Sequence, residues 1–233
     1  MTLFWTESPK FFKLRKTLSS LTISALLASA VVIPLLDSST ESIAATPKTA
    51  VAGLALLPVK GKAPKTGYER AAFSDGWGQL NGCDLRNFIL SRDLTNRTYR
   101  DECKVDTGIL ADPYTGKTIN FKYGVGTSSA VQIDHVVALS DAWQKGAQKI
   151  GAAKRYSFYN DPLNLLAVDG PTNSSKSDSD AASWLPPNKS YRCSYVARQI
   201  AVKLKYKIWV IQAEKAAMQR VLQSCPTQKL PNS

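Results

Sequence analysis

The chain has 233 residues, with 30 Lys and Arg against 18 Asp and Glu, a net charge of +12, one histidine, four cysteines and five tryptophans. A hydrophobic fraction of 44% supports a packed core and excludes a disordered polyelectrolyte, and the length suits one sizeable domain with a tail, or two small ones. The cationic surplus favours polyanionic partners: nucleic acid, anionic cell-wall polymer or a membrane surface.

Positions 1–45 differ from the rest. Lys10, Lys13, Arg15 and Lys16 precede an apolar run from Leu18 to Leu36, and Ser42-Ile43-Ala44 offers a cleavage site. This is the layout of an export signal. An uncleaved anchor is the alternative, since a bilayer is spanned by about 20 apolar residues, and a membrane partner is expected only in that case. Either way the body of the protein is exported. Removing the four basic and three acidic residues of positions 1–45 leaves 26 against 15, a surplus of +11.

Residues 46–67 mix Pro, Gly, Lys and Thr without a helical or strand period and read as a linker. The folded domain is expected over 68–228. In "CDLRNFILSRDL", residues 83–94, Leu85, Phe88, Ile89 and Arg92 fall at helical spacing, with Asp84 as the cap. Turns at Asp112-Pro113 and Thr115-Gly116 predict a hairpin. A strand through Val131 and Ile133 ends at Asp134-His135, and helical spacing resumes from Ala138 to about Ile150. A second short strand covers Leu163–Val168, and a helix opening at Asn173 or Ser174 is stopped by Pro186-Pro187. Tyr191 to Leu222 reads as a long amphipathic helix.

Cys83, Cys103, Cys193 and Cys225 form an even set without a CxxC pair, which disfavours zinc and suits two disulfides in an exported protein. Three pairings exist. The local one, Cys83–Cys103 with Cys193–Cys225, is expected, at roughly 3 kcal/mol per bridge. Between Lys189 and Lys229 nine residues are basic and one, Glu214, is acidic.

The single histidine, His135, follows Asp134 in "VQIDHVVALS". Imidazole is the usual general base near neutral pH. Adjacent strand residues point to opposite faces, so Asp134 and His135 are not expected to form a dyad. They suit neighbouring tasks instead, the carboxylate holding a hard cation while the imidazole deprotonates water.

"IDHVVAL" followed by "NLLAVDGPTNSSK" resembles the HNH, or ββα-metal, endonuclease motif. Trp77-Gly-Gln-Leu-Asn-Gly-Cys, Tyr114-Thr-Gly, Asn160-Asp161-Pro162, Trp184-Leu-Pro-Pro and Cys193 extend the likeness to the secreted HNH proteins related to the C-terminal domain of GmrSD restriction endonucleases, over roughly residues 70–225. The resemblance implies an α+β fold: a ββα-metal core with a short β-hairpin and surrounding helices. It implies His135 as general base, Asp134 and Asn173 as metal ligands, Asn164 as the residue that holds the histidine loop, and Lys176 beside the scissile phosphate. An oxygen-donor pair suits Mg²⁺, with Mn²⁺ as second choice. Arg86, Arg92, Lys176 and Arg198 are the expected nucleic-acid contacts, although Arg86 and Arg92 could equally pair with Asp84 or Asp93.

The resulting expectation is an exported, metal-dependent endonuclease that acts on DNA, with RNA as a second substrate, and has little sequence preference. The competing expectation is a non-catalytic surface protein that binds DNA or anionic cell-wall polymer. A serine-hydrolase reading fails, since no G-x-S-x-G stretch precedes the histidine.

Overall fold

The computed structural model describes residues 47–231, so the export segment expected over 1–45 lies outside the described residues. The segment expected as a linker is instead partly built into the fold. Helix α1 (Ala50–Leu56) is capped by Thr49, whose side chain accepts from Ala52 N, and buries Ala50, Gly53 and Leu54. Further along, Lys60 N donates to Val210 O and Ala63 N to Gln144 O. The apolar run "AVAGLALL" has no polar face to betray it and is too short for a clear period, yet one side of it, Ala50, Leu54 and Leu57, is buried in the core.

Two short strands, β1 (Gln79–Leu80) and β2 (Cys83–Asp84), pair antiparallel and lead into α2 (Leu85–Asp93), with Asp84 accepting from Asn87 N as the expected cap. A three-stranded antiparallel sheet follows: β3 (Thr95–Tyr99), β4 (Val105–Ala111) and β5 (Thr118–Lys122), in that order. The β4–β5 connection is the predicted hairpin.

Strand β6 (Val131–His135) is followed by α3 (Leu139–Gln144) and α4 (Ala152–Tyr159), and the chain then returns as β7 (Leu165–Asp169). Helix α3 is shorter than predicted because Gly146 adopts φ 125°, and a Cβ there would meet the Trp209 ring at 3.0 Å. β6 and β7 pair antiparallel, with His135 opposite Leu165 and Asp134 opposite Leu166. Helix α5 (Gly170–Lys176) opens directly on β7. Its cap is Asp169, so Asn173 lies inside the helix rather than at its start. Gly170 is needed there, because a Cβ would lie 2.1 Å from Ser129 O. The helix ends at Lys176, ten residues before Pro186.

The predicted long C-terminal helix is two, α6 (Arg192–Tyr206) and α7 (Gln212–Leu222), broken where Lys207 adopts left-handed φ 56°. Ile208 N then donates to Lys203 O, and Lys207 N to Leu204 O, which closes the α6 terminus without a glycine. The β6–β7 pair is buried on both faces. Val131, Ile133, Leu165 and Ala167 pack with Leu85 and Ile89 of α2, whereas Leu166 and Val168 pack with Val196 and Ile200 of α6. At roughly 2 kcal/mol per buried aliphatic side chain, this clamp holds the end of β6 rigidly.

The architecture is therefore α+β and disulfide-stapled, with Cys83–Cys103 and Cys193–Cys225 paired as expected. The described residues belong to one compact unit, 45–233. Behind the core lies a buried ionic network. Lys145 Nζ is 2.5 Å from Asp141, 2.7 Å from Asp180 and 2.6 Å from Glu214, and Lys203 Nζ is 2.9 Å from Glu214. Glu214, the lone acid of the basic tail, is thereby a core residue. Among the described residues no helix is long and apolar enough to cross a membrane.

Candidate active site

The end of β6 and helix α5 open on a cleft of about 450 Å³, lined by Asp134, His135, Gln132, Asn173, Ser140 and Asp178 together with Lys65, Tyr68 and Arg70. Alternation along β6 sends the two central side chains to different partners, as predicted.

His135 is 6% exposed. Its Nε2 lies 2.9 Å from Tyr159 O. A carbonyl can only accept, so Nε2 carries the proton and Nδ1 carries the lone pair. Trp77 stacks on the imidazole, with centroids 5.9 Å apart and planes 8° from parallel, and Tyr159 packs at 4.7 Å. Burial lowers the imidazole pKa to about 4; the Tyr159 carbonyl opposes this shift and the Arg70 charge reinforces it. The ring is therefore neutral at physiological pH, with one basic nitrogen in a fixed tautomer.

Asp134 is held at both oxygens. Tyr114 Oη donates to Oδ2 at 2.5 Å, and Lys176 Nζ donates to Oδ1 at 2.9 Å. Burial first, and then the Asp134 charge, push the Tyr114 phenol well above its usual value, so it remains a donor. Lys176 is fully buried and also donates to His135 O at 3.0 Å. Its ammonium neutralises Asp134 from beneath. Lys176 is absent from the cleft lining, which differs from the expectation of a lysine beside the substrate phosphate. Three residues C-terminal to Asn173, it sits almost one helical turn on, but its stem runs into the core.

Asn173 Nδ2 donates to Gln132 Oε1 at 2.8 Å, which leaves its carbonyl oxygen without a protein partner among the described residues. Asn164 is completely buried. Its Oδ1 accepts from Val137 N at 2.8 Å, and its own N–H groups donate to Val137 O and Phe158 O. One amide thus fixes the peptide two residues beyond His135 to the segment that carries Tyr159, the partner of the imidazole.

The three expected nucleic-acid arginines turn inward. Arg86 donates to Ser128 O and Val131 O, and Arg198 to Leu163 O and Leu165 O. Arg92 donates to Pro162 O and Leu165 O at 2.8 Å and pairs with Asp93. β7 is the free edge of a two-stranded sheet, where Arg92 and Arg198 satisfy the Leu165 carbonyl that no third strand pairs, whereas Arg86 serves β6 at Val131 O. The cations that do face the cleft, Lys65 and Arg70, were not singled out from sequence. Arg70 donates to Tyr159 Oη at 3.0 Å and lies 5.1 Å from that ring, whereas Lys65 pairs with Asp178 at 3.2 Å. Lys65 lies inside the segment read as a linker and Arg70 just after it, so neither carried a sequence signal of its own.

Residues 73–221 match the family of the GmrSD restriction endonucleases, C-terminal domain. The chain belongs to that family. A protein of Arthroderma benhamiae described as an uncharacterized secreted protein is 37% identical over 185 residues, covering 78% of this chain and 86% of the relative. No solved structure matches significantly. Membership in the GmrSD C-terminal family makes this a nuclease-type domain, and the matched span holds every residue named above except Lys65, Tyr68 and Arg70.

A divalent cation fits this cleft chemically. Asp134 offers about four lone-pair sites, of which Tyr114 and Lys176 use two, and Asn173 adds an unused amide oxygen. Both are hard donors of the kind that Mg²⁺ or Mn²⁺ accepts while retaining several waters. Among the described residues there is no cluster of three or more His, Cys, Asp and Glu side chains arranged for a metal, so an all-protein cage of the zinc type is not built here.

Proposed function

We propose that the protein is an exported, metal-dependent endonuclease of HNH type that hydrolyses phosphodiester bonds in DNA, with RNA as the secondary candidate substrate, and with little sequence preference. The observation that carries this reading is one cleft that holds a neutral imidazole of fixed tautomer together with two hard oxygen donors, Asp134 and Asn173. Family membership and the secreted relative support it.

In this reading His135 Nδ1 takes a proton from water, the resulting hydroxide oxygen bonds to phosphorus, and the phosphorus–oxygen bond to the leaving group breaks. Tyr159 O accepts the hydrogen bond from Nε2–H and so stabilises the imidazolium that forms. Asp134 and Asn173 would hold the divalent cation, with Tyr114 and Lys176 fixing the carboxylate. When bound, the cation supplies charge stabilisation at the phosphoryl and leaving oxygens. Arg70 and Lys65, in the same lining, contribute positive charge for a phosphodiester. No sequence-reading element enters this cleft, in keeping with low specificity.

Incubation of the purified protein with supercoiled plasmid tests the reading. Nicking with Mg²⁺ or Mn²⁺ that EDTA abolishes supports it. Retardation of the plasmid without any strand break in either metal would transfer the protein to the binding-only class.

A further inference from the structure

We infer that a second groove, between the start of α6 and the end of α7, is a phosphate-backbone subsite for a nucleic-acid strand that extends out of the His135 cleft. It rests on the nuclease reading for the identity of its ligand, but not for its existence as a binding site.

The groove has a volume of about 560 Å³, larger than the cleft at His135, and its lining includes Lys189, Arg192 and Arg220 but no acidic residue. The first turn of α6 holds no acid either. Three other cations of the basic tail are engaged elsewhere. Lys203 is buried in the ionic network, Arg198 binds β7 carbonyls and Lys205 pairs with Asp161. Lys189 and Arg220 make no ion pair or side-chain hydrogen bond among the described residues, and Arg192 uses one N–H, from Nε to Pro186 O at 2.8 Å. Concentrating free cations in a concave surface without counter-charge costs self-repulsion, which an anionic ligand relieves.

The groove is also rigid. The Cys193–Cys225 bridge joins its α6 and α7 walls. Trp184, in the lining, is wedged edge-on against Tyr114 at 5.1 Å and Tyr195 at 5.6 Å. An indole so fixed provides a surface for a base, as in single-strand binding sites.

Continuity with the cleft comes from the chain itself. Ser177 and Asp178 line the cleft, and Ala181 to Leu185 line the groove. Asp178 and Ala181 are three residues apart, so their Cα atoms are separated by at most about 11 Å. Segment 177–185 therefore contributes to both linings. Tyr114 touches both places: its hydroxyl binds Asp134 and its ring abuts Trp184.

The experiment compares the full chain with the Lys189→Gln/Arg220→Gln double variant, which spares the Arg192 hydrogen bond. Binding of a fluorescein-labelled 20-nucleotide single strand is followed by anisotropy in EDTA across a salt series, alongside turnover of bis(p-nitrophenyl) phosphate. Loss of two phosphate contacts weakens strand binding roughly twentyfold at 0.1 M salt and lowers the salt slope by about 1.4, with the small diester turned over as by wild type. Unchanged strand affinity, or wild type that does not bind the strand at all, overturns the subsite. Unchanged strand binding with lost affinity for phosphatidylglycerol vesicles also overturns it and reassigns the groove to a membrane surface. If the strand is bound through the groove but never cut, the subsite stands and the catalytic reading alone fails.

Discussion

The phenol of Tyr114, in the turn between β4 and β5, donates to Oδ2 of Asp134 on a strand of another sheet at 2.5 Å. A hairpin turn thereby sets the direction of the carboxylate at the base of the cleft. Asp112 braces that turn, its Oδ2 accepting from Thr115 N and its Oδ1 from Asp169 N at the mouth of α5. Tyr114→Phe leaves Oδ2 buried with one donor fewer, at a cost of about 1–3 kcal/mol in stability. The expected outcome is a folded protein whose half-saturating Mg²⁺ concentration for plasmid cleavage rises about tenfold. A metal titration beside urea unfolding separates the two effects, and an unchanged metal requirement would remove Tyr114 from the site.

His135 makes stability depend on pH with a definite sign. Its folded pKa is about 4, below the ordinary 6.5, because burial favours the neutral ring. The contribution is fully present above pH 6.5 and is lost as pH falls from 6.5 through 4, a change of about 3 kcal/mol. Urea midpoints for wild type and His135→Gln across this window should diverge at high pH and converge near pH 4. Parallel curves would contradict the assignment.

Lys145 lies among Asp141, Asp180 and Glu214 with no solvent contact. Burial alone would lower its pKa, but the Asp141 and Glu214 charges outweigh it and hold the ammonium above the ordinary lysine value. Lys145→Met leaves Asp180 without its cation and Asp141 and Glu214 with Lys203 alone, and should destabilise the fold by about 3–5 kcal/mol. Calorimetry of the variant checks this, and a loss below about 1 kcal/mol would mean the network is wetter than its geometry shows.

Much of the centre was legible in the amino-acid order because its signals are local. Alternation in "VQIDH" placed Asp134 and His135 on different faces, Asp84 announced the cap of α2, and cysteine spacing suggested the two bridges that formed. Long-range chemistry was not legible. Nothing near Tyr114 says that its hydroxyl meets a carboxylate twenty positions away, and nothing near Arg92 says that it serves the open edge of β7 rather than a ligand. Lys65 was hidden by composition, since a segment rich in Pro, Gly and Lys resembles a tether until the short apolar helix before it is seen to pack on α6. The break at Lys207 was hidden for another reason: a lysine in the left-handed conformation replaces the glycine that usually marks a helix end.

The central claim is that His135 Nδ1 activates the attacking water. The most direct measurement is the single-turnover rate of strand cleavage by His135→Ala, in saturating Mg²⁺, on a duplex bound as tightly as by wild type, with the fold checked by circular dichroism. Loss of a positioned general base lowers that rate by about 10²–10⁴ while duplex affinity is retained. Cleavage at the wild-type rate by a folded His135→Ala protein would contradict the account.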